Sequence, residues 1–130
     1  MITVDRAQWP VVTIRFDGTV TLSEHAELYD QLDEVLAEET ICGIVIDHEN
    51  QDGWTEHSSH LFRAWLERNE EDVHRYCAGG AAKIGNPLTR KAFQPVISRM
   101  VPFPVKLVRS VEDGVDWVTK QIDNCRSGVG

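Results

Sequence analysis

A chain of 130 residues has room for one domain with one core, and 42% apolar with 26% charged residues is an ordinary globular composition. Thirteen Lys and Arg against 21 Asp and Glu give a net charge of −8, which disfavours nucleic acid and anionic membranes as partners. No apolar run approaches the length of a membrane span, and the opening MITVDRAQWP lacks the basic and apolar segments of an export signal, so a cytoplasmic protein without membrane insertion is expected.

Ile2 to Val4 reads as a short strand, followed by a turn from Asp5 to Pro10. Val11 to Phe16 alternates, with Val12, Ile14 and Phe16 against Val11, Thr13 and Arg15, as a half-exposed strand does. The turn is too short for a parallel crossover, so these two strands are expected to form an antiparallel hairpin. Thr21-Leu22-Ser23-Glu24 is a capping box, and Leu28, Leu32, Val35 and Leu36 mark the inner stripe of the helix that follows. Cys42 to Ile46 is apolar without polar alternation, which predicts a central strand buried on both faces.

A polar loop from Asp47 leads to a long helix with Thr55 as its predicted N-cap and Phe62, Trp65, Leu66, Val73 and Tyr76 as its stripe. Ala78 to Ile84 is a strand of small residues, over which a helix can pack closely. Asn86-Pro87 starts a third helix whose expected inner face is Leu88, Ala92, Phe93, Val96, Ile97 and Met100, with a kink or break at Pro95. Val105 to Val108 is the last strand. Ser110 to Asp113 caps the last helix, which turns Val111, Val115, Val118 and Ile122 inward. The order β-β-α-β-α-β-α-β-α predicts an α/β fold: a mixed, mainly parallel sheet flanked by helices, with one domain over residues 1–123 and a loose tail over 124–130.

This order and four segments resemble the STAS or SpoIIAA-like family: WPVVTIRFDG, a central strand ending IVID, RYCAGGAAKIGNPLTRKAF, and PFPVKLVRSVEDGVDWV. The resemblance covers nearly the whole chain and points most closely to uncharacterised bacterial SpoIIAA-like proteins. It implies a SpoIIAA-like fold; members of the wider family act as phosphorylation-controlled partner-switching proteins, act as cytoplasmic domains of anion transporters, or have no known role. That family carries an Asp-Ser-Ser-Gly segment at the start of the second helix, where a partner kinase phosphorylates one Ser. The corresponding stretch here is His57-Ser58-Ser59-His60, which keeps the serines and lacks the Asp and the Gly.

The remaining chemistry concentrates between Asp47 and His60. His57 and His60 share a helix face at i and i+3, and with His48 and a loop carboxylate they have the donor types for a divalent metal. Solvated polar residues at a helix start are the plainer reading. Ser58 and Ser59 are potential phosphoacceptors at a helix N-terminus, but capping explains a serine doublet there, and phosphorylation is not expected. No G-x-S-x-G elbow or phosphate loop is present, and no cofactor is implied. Cys42 and Cys77 lie in apolar segments, and three cysteines without CxxC spacing read as free structural thiols.

Ligands of open α/β sheets bind beyond the carboxyl ends of parallel strands. Asp47, His48, Trp54, His57, Ser58 and His60 are therefore the candidate contacts for a partner or ligand. A non-enzymatic binding module with a protein partner is the leading reading. The alternatives are a metal-binding protein or metal-assisted enzyme using His48, His57 and His60, and a domain holding a small apolar ligand or lipid between sheet and helix. Arg90, Lys91 and Arg99 are close enough in sequence to form a local basic patch. The apolar Val101–Pro104 segment is an expected contact for a homodimer.

Overall fold

A computed structural model of the chain describes residues 1–51 and 56–128, with the side chains at 51, 56 and 57 excepted. Five strands run in the order β1 (Ile2–Asp5), β2 (Val11–Gly18), β3 (Cys42–Gln51), β4 (Cys77–Lys83), β5 (Val105–Val108), with the first pair antiparallel and the others parallel. The expected hairpin and the central place of Cys42–Ile46 are both present.

The alternation along β2 divides the molecule into two cores. Val12, Ile14 and Phe16 face a cluster with Leu28, Leu32 and Leu36 of α1 (Leu22–Ala37), Trp65 of α2 (Glu56–Arg68) and Val73 of α3 (Glu70–Tyr76). Val11 and Val45 face the other cluster, with Val118 and Ile122 of α5 (Val111–Arg126). The helices begin where their capping side chains stand. Thr21 and Glu24 complete the capping box, Asn86 accepts from the amides of Leu88 and Thr89 at the start of α4 (Pro87–Met100), and Ser110 accepts from Asp113.

Several expected boundaries move. β3 continues five residues beyond Ile46, because Asp17 and Gly18 of β2 pair with Asn50 and Gln51 past a register shift. The long second helix is two, divided at Asn69, whose side-chain amide donates to the Trp65 carbonyl at 3.0 Å. The predicted cap Thr55 lies outside the described residues. α5 extends to Arg126, into the expected tail.

α4 departs most from expectation. Pro95 does not interrupt it, and none of its residues is fully buried. Its polar side chains meet the sheet instead. The Gln94 amide donates to the Val105 carbonyl at 2.9 Å and accepts from the Leu107 amide at 2.8 Å, so it pairs with the outer edge of β5 as another strand would. Arg90 donates to the carbonyls of Ile84 and Gly85. These bonds turn Leu88, Phe93, Val96 and Met100 outward. In the Val101–Pro104 segment, Val101 and Phe103 are half-buried against the main core, while Pro102 and Pro104 are exposed.

Small residues at the sheet centre allow its neighbours to approach. A Cβ on Gly43 would stand 2.2 Å from Val118 Cγ1 and 2.9 Å from the Gly79 carbonyl, and one on Gly80 would stand 2.8 Å from the Phe103 ring. Gly43→Ala should therefore destabilise the fold by about 1–3 kcal/mol, as overpacking of a close-fitted core does. Val118→Ala in the same chain should recover part of that loss. Urea denaturation of the two single variants and the double variant measures this coupling, and strict additivity would mean the two residues do not compete for the same space.

Candidate functional site

The extension of β3 decides where the candidate residues stand. Successive strand residues point to opposite faces. Asp47 is buried, with its carboxylate accepting from the Glu49 amide at 3.3 Å and standing 3.9 Å from Lys83 Nζ on β4. His48 is half-buried and points the other way, with Ile46, into a cavity of about 120 Å³. Sequence reading placed both in one loop; the strand separates them.

The cavity lies between the carboxyl ends of β3 and β4, α2 and α4. Ile46, Phe62, Leu66, Ala82, Ile97 and Met100 make its apolar wall, and His48, Ser59 and Arg63 are its polar members. Burial holds the His48 pKa below its ordinary value, against the opposing pull of its own backbone and of the Asp47 and Glu49 carboxylates. The Glu49 carboxylate accepts from the Gly85 amide at 2.7 Å and so ties the end of β3 to the turn before α4.

Ser58 does not open onto this mouth. It is buried, and its hydroxyl is 3.2 Å from His25 Nε2 on α1. The two side chains dock the start of α2 against α1, next to Tyr29, whose ring lies against both His25 and Trp65. As a contact for an external partner Ser58 is therefore displaced by its own fold. Ser59 is half-buried on the cavity side, and His60 is exposed. Trp54 lies outside the described residues, as does the side chain of His57. Among the described residues no group of three or more His, Cys, Asp or Glu could hold a metal ion.

His25 is the residue that sequence reading missed. It stands three and four positions before Leu28 and Tyr29, so the helical stripe extended one turn back would have included it. The two thiols in the core are poorly suited to chemistry. Burial pushes the Cys42 thiol up to about 11 and the Cys77 thiol further, and both are free.

The hydroxyl of Ser58 is a structural contact, and substitutions should report this. Ser58→Ala should cost about 1–2 kcal/mol, the range for a buried hydrogen bond lost together with its packing. Ser58→Asp should cost more than Ser58→Ala, since it buries a carboxylate against the same wall, whereas Ser59→Asp should be milder. Chemical denaturation of the three variants gives the order; equal stability of Ser58→Asp and wild type would remove the structural role.

No family model matches the chain, and no match was found among curated proteins. Solved structures do match. An uncharacterised protein of the DUF3478 family with a SpoIIAA-like fold, from Shewanella loihica, aligns over 91% of this chain and 92% of its own, with 19% identity and a TM-score of 0.66. The Bacillus cell fate determinant SpoIIAA in its phosphorylated form aligns over 91% and 99%, with 15% identity and a TM-score of 0.61. An anti-sigma factor antagonist from Mycobacterium paratuberculosis aligns over 92% and 93%, with 16% identity and a TM-score of 0.56. The chain thus has a SpoIIAA-like α/β fold, and at these identities the likeness is one of fold.

Proposed function

We propose that this chain is a non-enzymatic regulatory module that acts in the cytoplasm by binding a protein partner at the mouth beside His48. The observation that carries this reading is the overlap with anti-sigma factor antagonists across more than nine-tenths of both chains. Three features support it. The thiols of Cys42 and Cys77 are buried and held protonated. Ser58 is occupied inside the fold. No helix of the described residues is long and apolar enough to cross a membrane.

In this reading the partner would contact the exposed His60 together with His57, and His48 lines the mouth. Serine phosphorylation is not part of the proposed control, because the serine docked at the start of α2 faces His25.

A second reading is favoured by the cavity itself. An apolar space of about 120 Å³ is close in size to engineered cavities that hold a benzene ring. A small apolar group would fit between β3, α2 and α4, whereas a whole acyl chain would not without movement of α4.

Chemical cross-linking and recovery of the tagged chain from its native host separates these readings. The binding-module reading expects one stoichiometric protein. It also expects His57→Ala and His60→Ala to reduce recovery while moving stability by no more than about 0.5 kcal/mol, as surface substitutions do. Recovery unchanged in both variants contradicts the site. A carried-through small molecule in native mass spectrometry, with no protein cross-link, selects the second reading.

A further inference from the structure

Charge is segregated along this chain. Residues 73–111 contain none of the 21 Asp and Glu residues and more than half of the 13 Lys and Arg residues. α4 lies at the centre of that segment, with Arg90, Lys91 and Arg99 and no acid. Four of the six large apolar side chains most exposed in the described structure are also on α4: Leu88 at 78%, Phe93 at 53%, Val96 at 49% and Met100 at 39%. With Ala92 they form one stripe at helical spacing, turned outward because Gln94 and Arg90 hold the opposite side to β5 and to the turn before α4.

Beside the stripe an open groove of about 480 Å³ runs between α2 and α4, with Leu66, Met100 and Val101 in its floor and Arg63, Glu67 and Arg99 among its walls. Among the described residues the ion pairs on this side are Lys83 with Asp47 and Arg109 with Asp113, which leaves Lys91 and Arg99 without a carboxylate. An apolar stripe flanked by uncompensated cations, beside an open groove, has the features that helix-in-groove recognition uses.

We infer that the outer face of α4, with the groove beside it, is a docking surface for an acidic amphipathic segment of a partner protein. Its apolar side chains would cover Phe93 and Val96, and its carboxylates would meet Lys91 and Arg99. The inference deepens the protein-partner reading by naming a second surface and the partner's chemistry, and it rests on α4 rather than on the mouth beside His48. Charge tells against a second copy and shape against a bilayer. Two copies of α4 packed antiparallel would bring Arg99 of one copy toward Arg90 and Lys91 of the other, like charge against like. A bilayer surface cannot enter the groove, whereas a side chain can.

The probes are a fluorescein-labelled helical peptide with leucines at i, i+3, i+4 and i+7 flanked by glutamates, and its lysine-flanked twin. Fluorescence anisotropy should show the glutamate peptide binding at least about tenfold more tightly than the twin. Lys91→Glu with Arg99→Glu should weaken the glutamate peptide by about tenfold or more, and Phe93→Ser with Val96→Ser should do the same. Arg99→Gln is the milder variant, and denaturation midpoints shared with wild type verify that each protein is folded. Equal binding of the two peptides, or binding that survives these substitutions, overturns the inference. So does selective sedimentation with phosphatidylglycerol vesicles, or a dimer in sedimentation equilibrium that Val96→Ser abolishes. A native partner recovered equally well by wild type and the α4 variants would defeat this inference and leave the mouth beside His48 as the partner site.

Discussion

The cavity beside His48 depends on β3 remaining a strand for five residues after its apolar run ends. Two attachments hold the extension. Asn50 and Gln51 pair with Asp17 and Gly18 of β2, and the Glu49 carboxylate receives the Gly85 amide. A strand has a two-residue period, so the extension sends Asp47 toward one side and His48 toward the other. Asp47 is then paired near Lys83 and belongs to the frame. His48 joins Ile46 in the wall of the cavity below α2 and α4. What reads as one polar cluster is a supporting carboxylate and a separate, half-apolar mouth.

The same economy governs the centre of the sheet. Gly43 and Gly80 lack side chains where Val118 and Phe103 arrive, so α5 and the segment before β5 seat directly on the backbone. The space saved there allows β4 to be built of small residues without loss of core contact. α4 adds Ile97 and Met100 to the cavity wall beside the sheet. It closes the edge of β5 through Gln94, whose amide has a donor and an acceptor spaced like those of a peptide group. A helix attached by polar groups leaves its apolar stripe exposed.

Much of the fold was legible because its local signals agree with one another. Thr21 with Glu24, Asn86 with Pro87, and Ser110 with Asp113 mark three helix starts by short-range hydrogen bonding. The alternation of Val12, Ile14 and Phe16, and its absence from Cys42 to Ile46, separate a half-covered strand from a buried one. The site was less legible. Helical spacing shows that Leu88, Ala92, Val96 and Met100 share a face, but it does not say which way the face turns; Gln94 decides that through residues eleven and thirteen positions away. Ser58 finds His25 across 33 positions, a contact that no local pattern announces. The polar letters of Asp47 to Gln51 read as a loop because their pairing partner, the end of β2, is itself polar.

The central claim is that His48 belongs to the apolar mouth and not to a cluster with Asp47. Histidine NMR as a function of pH reads this placement directly. The account predicts a His48 midpoint below the ordinary value near 6.5, because burial disfavours the imidazolium, together with cross-relaxation between its ring and the side chains of Phe62 or Met100. A midpoint at or above the ordinary value, with the ring free of both side chains, would contradict it.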